Sequence, residues 1–354
     1  MGSCARRPPE RVEGHGDGDG EVLRVGVSGL KHDHARYTIQ TARTDPGLEL
    51  VAIAESEDIY RDAFEQATGL KAAYRTHAEL LAAEEFDVLV VCEEFANRGP
   101  TAIAGLKAGR HVFAGKPLCT REDELREIAA LSREKNLEVG IDFSLCYKWG
   151  PFSVPLRDGA IGELVSCFLS GPHFLAYDVR PTWYFDDGRH GGIINDLLGH
   201  GLDFVRWVSG HEVSTVLSAS TVNKGLPQHP AFEMSGTVHC QMSNDANLLG
   251  GVDYFTPVDH DCPWRCWLVG TEGDAIIGER PEMRLRRSGE KEALVDSKLD
   301  GSKWQSPFDD FIDHLRYAAE PLRTTEDGFR TQIATLVAQR AAETGETNVT
   351  VHEV

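Results

Sequence analysis

Short apolar runs alternate with longer segments of helical periodicity over the first part of this chain. The runs rich in valine and isoleucine have the length of strands: "VLRVGVSG", "LELVAIAE", "FDVLVVCE", "RHVFAG" and "LEVGIDF". The segments between them carry apolar residues three and four positions apart, as amphipathic helices do. Thr120, with Asp123 three positions later, predicts the beginning of one of these helices. The alternation predicts an α/β domain with a doubly wound parallel sheet over residues 22–143.

The pattern changes after residue 144, where strand-like runs follow one another with few helices between them. These runs are "ELVSCFLSG", "VSTVLSASTV", "FEMSGTVHCQM", "NLLGGVDYF", "WRCWLVG" and "EMRLRR". They predict an α+β domain over residues 144–354, with an open, mostly antiparallel sheet and a helix around 193–208 packed on it. Near the end, Ser306 and Pro307 have the residue types of a helix N-cap and first helical position. An open sheet face must be covered, so we expect a homo-oligomer, a dimer or a tetramer.

Composition narrows the class of protein. The net charge of −20 disfavours nucleic acid and anionic membrane surfaces as partners. No run approaches the ~20 apolar residues of a membrane span. The eight cysteines are scattered, which favours reduced thiols in a cytoplasmic protein, and the pair in "CPWRC" lacks a second pair to complete a zinc site. Residues 1–21 are predicted to be a disordered tail.

The turn after the first predicted strand, "VGVSGLKHDHA", is a candidate dinucleotide site. Such a site needs a tight, glycine-rich turn that faces backbone N–H groups and a helix N-terminus toward a pyrophosphate. Gly29 fits the first glycine of this fingerprint, but Lys31 and His34 occupy the other two glycine positions. An ordinary strand-to-helix turn is therefore the alternative. Under the cofactor interpretation, contacts come from these residues: Gly29, Leu30, Lys31, His32, Asp33, Glu93 and Lys116.

Glu55 ends the second predicted strand, where an acid hydrogen-bonds the adenosine ribose in dinucleotide-binding folds. That charge would repel a 2′-phosphate, so NAD is favoured over NADP, and the neighbouring Ser56 keeps NADP as the second choice.

The stretch "NDLLGHGLD" places Asp196 four residues before His200 and Asp203 three after it. Residues at i and i+4 share a helix face, which allows three interpretations. A metal site needs at least three ligands, and no further His or Cys lies on this helix. A core histidine tied to its neighbouring acid is the second interpretation. We favour the third, a catalytic dyad in which His200 is the base and Asp196 stabilises its protonated form, with Gly199 and Gly201 leaving room for substrate.

Several segments together carry a family resemblance: "GLKAGRHVF", "HVFAGKPLCT", "DGAIGEL", "GGIINDLLGHGLDFVRWVSG" and "AAETGETNV". Over residues 22–345 the chain resembles the glucose-fructose oxidoreductase/inositol dehydrogenase (Gfo/Idh/MocA) family. The resemblance implies a Rossmann domain followed by an open-faced β-sheet domain. It also implies oxidation or reduction of a secondary alcohol on a sugar or cyclitol with NAD(P). Lys116 matches the lysine of the family's Glu-Lys-Pro motif, and Asp196 with His200 matches its Asp-x-x-x-His pair.

The chain departs from the family pattern at several places. Gly115 replaces the Glu of Glu-Lys-Pro, and Arg98 stands where a His is common. Glu93-Glu94-Phe95 replaces Thr-Pro-Asn, and "CYKW" replaces the usual Arg-Phe, which leaves Lys148 as a substitute. For substrate hydroxyl groups and an aromatic wall, the candidates are the following residues: Lys148, Tyr177, Arg180, Trp183 and Tyr254.

The expected function is transfer of a hydride between nicotinamide and a secondary alcohol or ketone of a sugar or cyclitol, with Lys116, Asp196 and His200 as catalytic residues. One alternative is a catalytically inactive NAD-binding sensor, which the broken glycine fingerprint and the missing Glu favour. Another is an NAD-dependent glycosidase that oxidises its substrate and re-reduces it with tightly held cofactor. Net NADH formation from a free sugar separates that glycosidase from a dehydrogenase.

Overall fold

The computed structural model describes residues 21–32, 34–186, 188–255, 264–278, 282–296 and 306–354. The predicted tail, apart from Glu21, and the predicted cofactor residue Asp33 lie outside these residues. The helices are α1 (His34–Thr44), α2 (Asp58–Thr68), α3 (His77–Ala83), α4 (Phe95–Lys107), α5 (Glu122–Lys135), α6 (Leu145–Arg157), α7 (Gly199–Ser209), α8 (Pro307–Tyr317) and α9 (Thr325–Thr344).

Two sheets contain the described strands. The first is formed by β1 (Leu23–Ser28), β2 (Leu48–Ala54), β3 (Val88–Val91), β4 (His111–Ala114) and β5 (Val139–Ile141). The second is formed by β6 (Leu164–Pro172), β7 (Val213–Val222), β8 (Ser235–Met242), β9 (Asn247–Asp253), β10 (Arg265–Gly270), β11 (Gly273–Ile277), β12 (Glu282–Arg287), β13 (Ala293–Asp296) and β14 (Val349–Thr350).

The first sheet has the order β2-β1-β3-β4-β5, and its neighbouring strands pair in parallel. The predicted doubly wound parallel sheet is therefore confirmed. The predicted N-cap at Thr120 is wrong, because α5 begins at Glu122 with Arg121 before it. The Thr120 side chain instead lies where a Cβ on Gly191 would stand, 2.3 Å away, so it packs between the two parts of the chain.

The second sheet has the order β13-β12-β11-β10-β6-β9-β8-β7-β14. Its pairs are antiparallel except β6 with β9, which confirms the predicted open, mostly antiparallel sheet. The sequence did not predict α6, because Pro151 and Pro155 interrupt its helical pattern. The short strands β11, β13 and β14 also escaped prediction.

The end of the chain returns to the first sheet. Ser306 caps α8 through a capping box with Asp309, and Pro307 follows it, as predicted. On α8, Phe308 and Phe311 place their rings 4.9 and 5.5 Å from the ring of Phe113 in β4. The C-terminal helices therefore share a hydrophobic core with the N-terminal sheet.

Asp203, the last acid of "NDLLGHGLD", joins α7 to neighbouring helices. Its buried carboxylate accepts hydrogen bonds from the Arg323 guanidinium at 2.9 Å and from the Thr331 hydroxyl at 2.9 Å. The Cys146 thiol of α6 lies 3.2 Å from the same carboxylate. Because breaking a buried charge pair leaves an uncompensated charge, Asp203 is a structural residue that fixes α7 against α6 and α9.

The six cysteines among the described residues are free and buried. None of the helices in the described part of the chain combines the length and the apolar character needed to cross a bilayer.

Candidate active site

A buried ion pair connects the end of β4 to the segment before α7. The Lys116 ammonium donates to Oδ1 of Asp196 at 2.6 Å and to the main-chain carbonyl oxygen of Asp196 at 2.9 Å. The two side chains are 7% and 1% exposed. Lys116 follows the carboxyl end of a parallel strand, which is where ligands bind in doubly wound sheets.

The other carboxylate oxygen of Asp196 is also occupied. The Tyr184 hydroxyl donates to Oδ2 at 2.6 Å, and the Tyr254 hydroxyl donates to the same atom. The His190 ring nitrogen Nε2 lies 3.6 Å from Oδ2 and 3.2 Å from the Tyr254 hydroxyl. The carboxylate is therefore surrounded by hydrogen-bond donors, which is the condition for burying an anion.

Lys116, Asp196, Tyr184, Tyr254 and His190 form one buried cluster. The protonation states of its lysine and aspartate follow from burial and from neighbouring charges. Burial by itself would raise the pKa of Asp196, but the Lys116 ammonium and His190 outweigh it and hold that pKa well below its usual range. Burial lowers the pKa of Lys116; Asp196 opposes this, while Arg98 and Arg180 add to it, and the net direction is downward. Asp196 is therefore ionised, and Lys116 releases its proton more readily than an exposed lysine does.

The geometry of the helix determines which way Asp196 faces. Residues Ile194–Leu198 form a π-helical turn, and the regular helix α7 begins only at Gly199. Polar side chains of α9 hold this turn: the Gln339 carbonyl accepts from the amide of Ile194 at 3.0 Å, and the Gln332 amide donates to Asn195 at 2.7 Å. Gln332 also accepts from the Leu118 amide at 2.7 Å, so one side chain positions both the lysine turn and the aspartate turn.

The predicted pairing of Asp196 with His200 is wrong. Asp196 faces Lys116, because the wider π-helical turn removes the i, i+4 alignment that a regular helix would give. His200 instead accepts a hydrogen bond at Nδ1 from the Ser144 amide, at 3.2 Å. A ring nitrogen that accepts from an N–H carries no proton, so the neutral ring is protonated at Nε2 and is a donor there.

The two glycines beside His200 have a different role from the predicted one. A Cβ at Gly199 would lie 2.5 Å from the Phe143 ring, and one at Gly201 would lie 2.3 Å from the Leu169 side chain. They permit α7 to pack closely on its neighbours rather than opening space for a substrate.

The segment 177–186 together with 188–190, which we call the cover segment, contacts the ion pair through Tyr184 and His190. Its Trp183 ring packs 5.1 Å from the Phe95 ring at the beginning of α4. The Ala96 amide donates to the Arg189 carbonyl at 3.1 Å, and the Arg189 guanidinium pairs with Glu94. The cover segment thus joins the second half of the chain to the beginning of α4, and its Tyr184 contacts Asp196.

The predicted substrate residues separate into two groups. Tyr254 contacts Asp196, and the Arg180 guanidinium lies 4.5 Å from the centre of the Tyr184 ring, so both belong to the cluster. Trp183 is buried, which corrects its prediction as an aromatic wall for substrate. Tyr177 is exposed and bonds His229 at 3.1 Å. Lys148 is exposed on α6 and is not among the side chains that contact Asp196.

The predicted cofactor edge follows the ends of β1, β2 and β3. Gly29 has a φ of +90°, and a Cβ there would lie 2.5 Å from the Glu93 amide nitrogen, so only glycine fits this close approach. The buried Glu55 carboxylate accepts from the amides of Leu30 at 2.7 Å and Glu57 at 2.9 Å.

Charges alternate along this edge. The Lys31 ammonium is buried and pairs with Glu57 at 2.9 Å and with Glu94 at 3.9 Å. The Glu93 carboxylate accepts from the Ser28 hydroxyl at 2.9 Å, and burial raises the pKa of Glu93. The His32 ring lies 5.8 Å from the Phe95 ring, close to the cover segment.

Sequence reasoning missed two members of the cluster, Tyr184 and His190. Tyr184 directly follows Trp183, and the short 3₁₀-helix Thr182–Phe185 turns it, rather than its neighbour, toward Asp196. The sequence "PTWYFDDGRH" does not reveal which of its polar side chains point toward Asp196, so these contacts could not be predicted from it. In the described part of the chain, no group of three or more His, Cys, Asp or Glu side chains has the geometry to hold a metal ion.

Comparison with known proteins defines the class. Residues 21–143 match the model of an oxidoreductase family with an NAD-binding Rossmann fold, and residues 156–276 match a GFO/IDH/MocA C-terminal domain. The chain belongs to the GFO/IDH/MocA family of oxidoreductases, as its resemblance indicates.

Relatives with assigned names extend over most of the chain. Inositol 2-dehydrogenase from Salmonella typhimurium is 24% identical over 341 residues, which cover 92% of this chain and 95% of the relative. The structure of an oxidoreductase from Erwinia carotovora atroseptica superimposes with a TM-score of 0.80 at 23% identity, covering 90% and 98% of the two chains. Levoglucosan dehydrogenase in complex with NADH gives a TM-score of 0.79 at 17% identity, covering 94% and 100%. These two structures establish the likeness of fold.

The buried ion pair predicts a non-additive effect on stability. Lys116→Met and Asp196→Asn each leave one buried charge without its partner, so we expect each to cost about 3–5 kcal/mol of unfolding free energy. The double variant removes both charges, and its cost should fall well below the sum of the single costs. Denaturant unfolding of the four proteins at neutral pH measures this difference. Additive losses would mean that the two charges do not interact.

Proposed function

We propose that this protein is an NAD-dependent oxidoreductase that moves a hydride between nicotinamide and a secondary alcohol or ketone of a sugar or cyclitol. The observation that carries the proposal is the position of Lys116. This lysine stands at the carboxyl end of β4, is buried, and is bound to an ionised Asp196. The names of the relatives, inositol 2-dehydrogenase among them, support the substrate class.

The residues at the ends of β1 and β2 fit a dinucleotide. Gly29 allows the turn to approach the residues after β3 closely. Lys31, two positions later and paired with Glu57, brings a positive charge that a glycine at this position would not supply. Glu55 stands at the end of β2, on the side where an adenosine ribose lies in such folds. Its bond to the Leu30 amide fixes the carboxylate beside the turn.

The chemistry divides between the cofactor and the chain. A bound nicotinamide supplies the hydride acceptor for oxidation and the hydride donor for reduction. In oxidation, neutral Lys116 takes the hydroxyl proton at Nζ while Asp196 keeps the ammonium that forms in place. In the reverse direction, protonated Lys116 returns that proton to the carbonyl oxygen. This assignment replaces His200 as the base, because the Nδ1 atom of His200 is occupied by the Ser144 amide and its neutral ring is a donor at Nε2.

The remaining polar groups near Lys116 suit a substrate with several hydroxyl groups. The Arg180 guanidinium, whose Nε donates to the Leu175 carbonyl, lies over the Tyr184 ring, and the Tyr184 and Tyr254 hydroxyl groups contact Asp196. The neutral His200 ring, whose Nδ1 accepts from Ser144, carries its proton at Nε2 and adds a donor there. We assign Arg180 and Tyr254 to substrate positioning, and His200 to a hydrogen bond with the reacting oxygen.

The outer face of the second sheet supports self-association. The Phe168 and Trp267 rings are 41% exposed each and stack 5.3 Å apart on neighbouring strands. Val165, Leu249 and Ile276 add exposed apolar surface to the same sheet. A second copy of the chain carries the same apolar face, and two such faces can cover each other, so we propose a homo-oligomer assembled through this face.

A spectrophotometric screen tests the proposed activity. Sugars and cyclitols are offered with NAD, and we expect NADH absorbance with at least one of them. Lys116→Met is the control; it should bind NAD but lose about 10²–10³-fold in kcat, because a positioned electrostatic partner of the reacting oxygen is gone. NAD binding without turnover on any substrate would instead favour the sensor, and glycoside cleavage without net NADH would favour the glycosidase.

The preference between the two cofactors depends on Glu55. We expect NAD to bind at least about tenfold more tightly than NADP, which corresponds to ~1.4 kcal/mol of repulsion against a 2′-phosphate. Glu55→Gln keeps an oxygen for the Leu30 amide but removes the charge, and should reduce that preference. Calorimetric titration with both cofactors measures it, with the exposed Glu49→Gln on the same strand as control. Equal affinities of the unmodified protein for both cofactors would contradict the role of Glu55.

The pH dependence identifies the base. Because the pKa of Lys116 is lowered, alcohol oxidation should rise with pH through an ionisation below the usual lysine value of about 10.4, and the reverse reduction should fall. The arginine of Lys116→Arg stays protonated, so the rise of the rate with pH (the pH limb) should disappear. The rate itself should fall by about 10²–10⁴-fold. His200→Gln keeps a donor, so it should retain the limb. A limb that disappears in His200→Gln and survives in Lys116→Arg would restore His200 as the base.

A further inference from the structure

Arg98 is a fully buried arginine directly beneath the lysine turn. Its Nε donates to the Glu93 carbonyl at 2.9 Å, and its Nη1 donates to the carbonyls of Lys116 at 2.5 Å and Pro117 at 3.1 Å. The guanidinium carbon lies 4.5 Å from the centre of the Phe95 ring. One side chain therefore connects the end of β3 to the turn that carries Lys116.

Gly115 makes the room for this arginine. A Cβ at position 115 would lie 3.2 Å from both Cζ and Nη1 of Arg98, which is closer than such atoms normally pack. A side chain there would push the guanidinium away from the carbonyls that it binds. The two departures from the family pattern, Gly115 for Glu and Arg98 for His, are therefore one packed unit.

The exchange also reverses a charge beside Lys116. The family pattern has a carboxylate at position 115, whereas this chain has an arginine in contact with that position. Among the described residues the Arg98 guanidinium donates only to carbonyl oxygens, and its Nη2 has no hydrogen-bond partner. Burial lowers the pKa of Arg98 to about 10, so the group remains a cation at neutral pH. No described carboxylate forms an ion pair with it, and Asp196 and Asp142 act on it only at longer range.

We propose that Arg98 and Gly115 form a positioning unit that holds the Lys116 turn in place and favours the neutral, proton-accepting form of the lysine. The unit acts through Lys116 and does not itself contact the substrate. The inference rests on the proposed function only in naming the substrate hydroxyl as the source of the proton.

Other charged and titratable groups also act on Lys116, and Arg98 must be distinguished from them. Asp196 favours the protonated lysine, whereas Arg180 and Arg98 favour the neutral one. The groups facing Lys116 and Asp196 from other elements are His173 after β6, Tyr184 and His190 in the cover segment, and Tyr254 after β9. Arg98 itself is faced by Cys92 after β3 and Asp142 after β5. These groups stay unchanged in substitutions at positions 98 and 115.

The test measures the protonation of Lys116 without substrate. In protein labelled with ¹³C-lysine, the Cε chemical shift of Lys116, assigned with Lys116→Arg, is followed against pH. Arg98→Met removes the charge and keeps the length of the side chain, so the midpoint should rise by about one pH unit or more. Arg98→Lys retains the charge, so its midpoint should stay near that of the unmodified protein, with a loss of melting temperature from the missing carbonyl bonds. Unchanged midpoints in both variants would reduce Arg98 to a structural residue and overturn the proposal.

Should Arg98→Met fail to fold, a second pair of variants at position 115 tests whether the midpoint responds to charge there, with Arg98 displaced equally in both. Gly115→Glu and Gly115→Gln introduce side chains of the same size, but only the first adds a negative charge. The midpoint should rise more in Gly115→Glu than in Gly115→Gln, and equal midpoints would overturn the proposal. If the protein oxidises a sugar or cyclitol but the Lys116 midpoint does not change in these variants, this inference is contradicted and the proposed function is not. A responsive midpoint in a protein that turns over no sugar or cyclitol contradicts the proposed function alone.

Discussion

The ion pair between Lys116 and Asp196 is the interaction on which the arrangement of this molecule depends. It connects the end of a parallel strand in the first sheet to a turn that belongs to the second half of the chain. Moving both charges out of water costs several kcal/mol for each ion, so the pair persists only with further hydrogen bonds. Tyr184, Tyr254 and the main-chain carbonyl of Asp196 provide them. The cover segment and β9 must therefore meet at the same point, which links the two sheets.

A polar face in the middle of the protein maintains this meeting point. Helix α9 is buried along most of its length, yet it carries Gln332, Thr335 and Gln339 toward the π-helical turn. Gln332 bonds the lysine turn on one side and Asn195 on the other, so the distance between the two charged residues is set from outside the pair. The π-helical turn itself needs such support, because it interrupts the regular bonding of the helix that follows it.

The sequence predicted both sheets, because strand-length apolar runs and their alternation depend only on local periodicity. It also predicted that Lys116 and Asp196 belong to one site, through the family resemblance. It did not predict how the site is paired, because the i, i+4 rule assumes a regular helix and the chain forms a wider turn at Asp196. Tyr184 was missed for a related reason: a single 3₁₀ turn decides whether it or Trp183 faces the carboxylate. The sequence recorded Gly115 and Arg98 as separate departures, since only the packing reveals that one requires the other.

The hydrogen-bond partners of two buried arginines separate a structural arginine from one that we propose alters the pKa of Lys116. Arg206 is bound directly by Glu212, so its charge is neutralised where it stands and it stabilises α7. Arg98 is satisfied by carbonyl oxygens, which supply hydrogen bonds but no net negative charge, so its field extends to neighbouring groups. In a low-dielectric interior that field is weakly screened. Arg98 thus places a cation without an ion-pair partner among the described residues next to Lys116, the lysine that we propose exchanges a proton, where it favours loss of that proton.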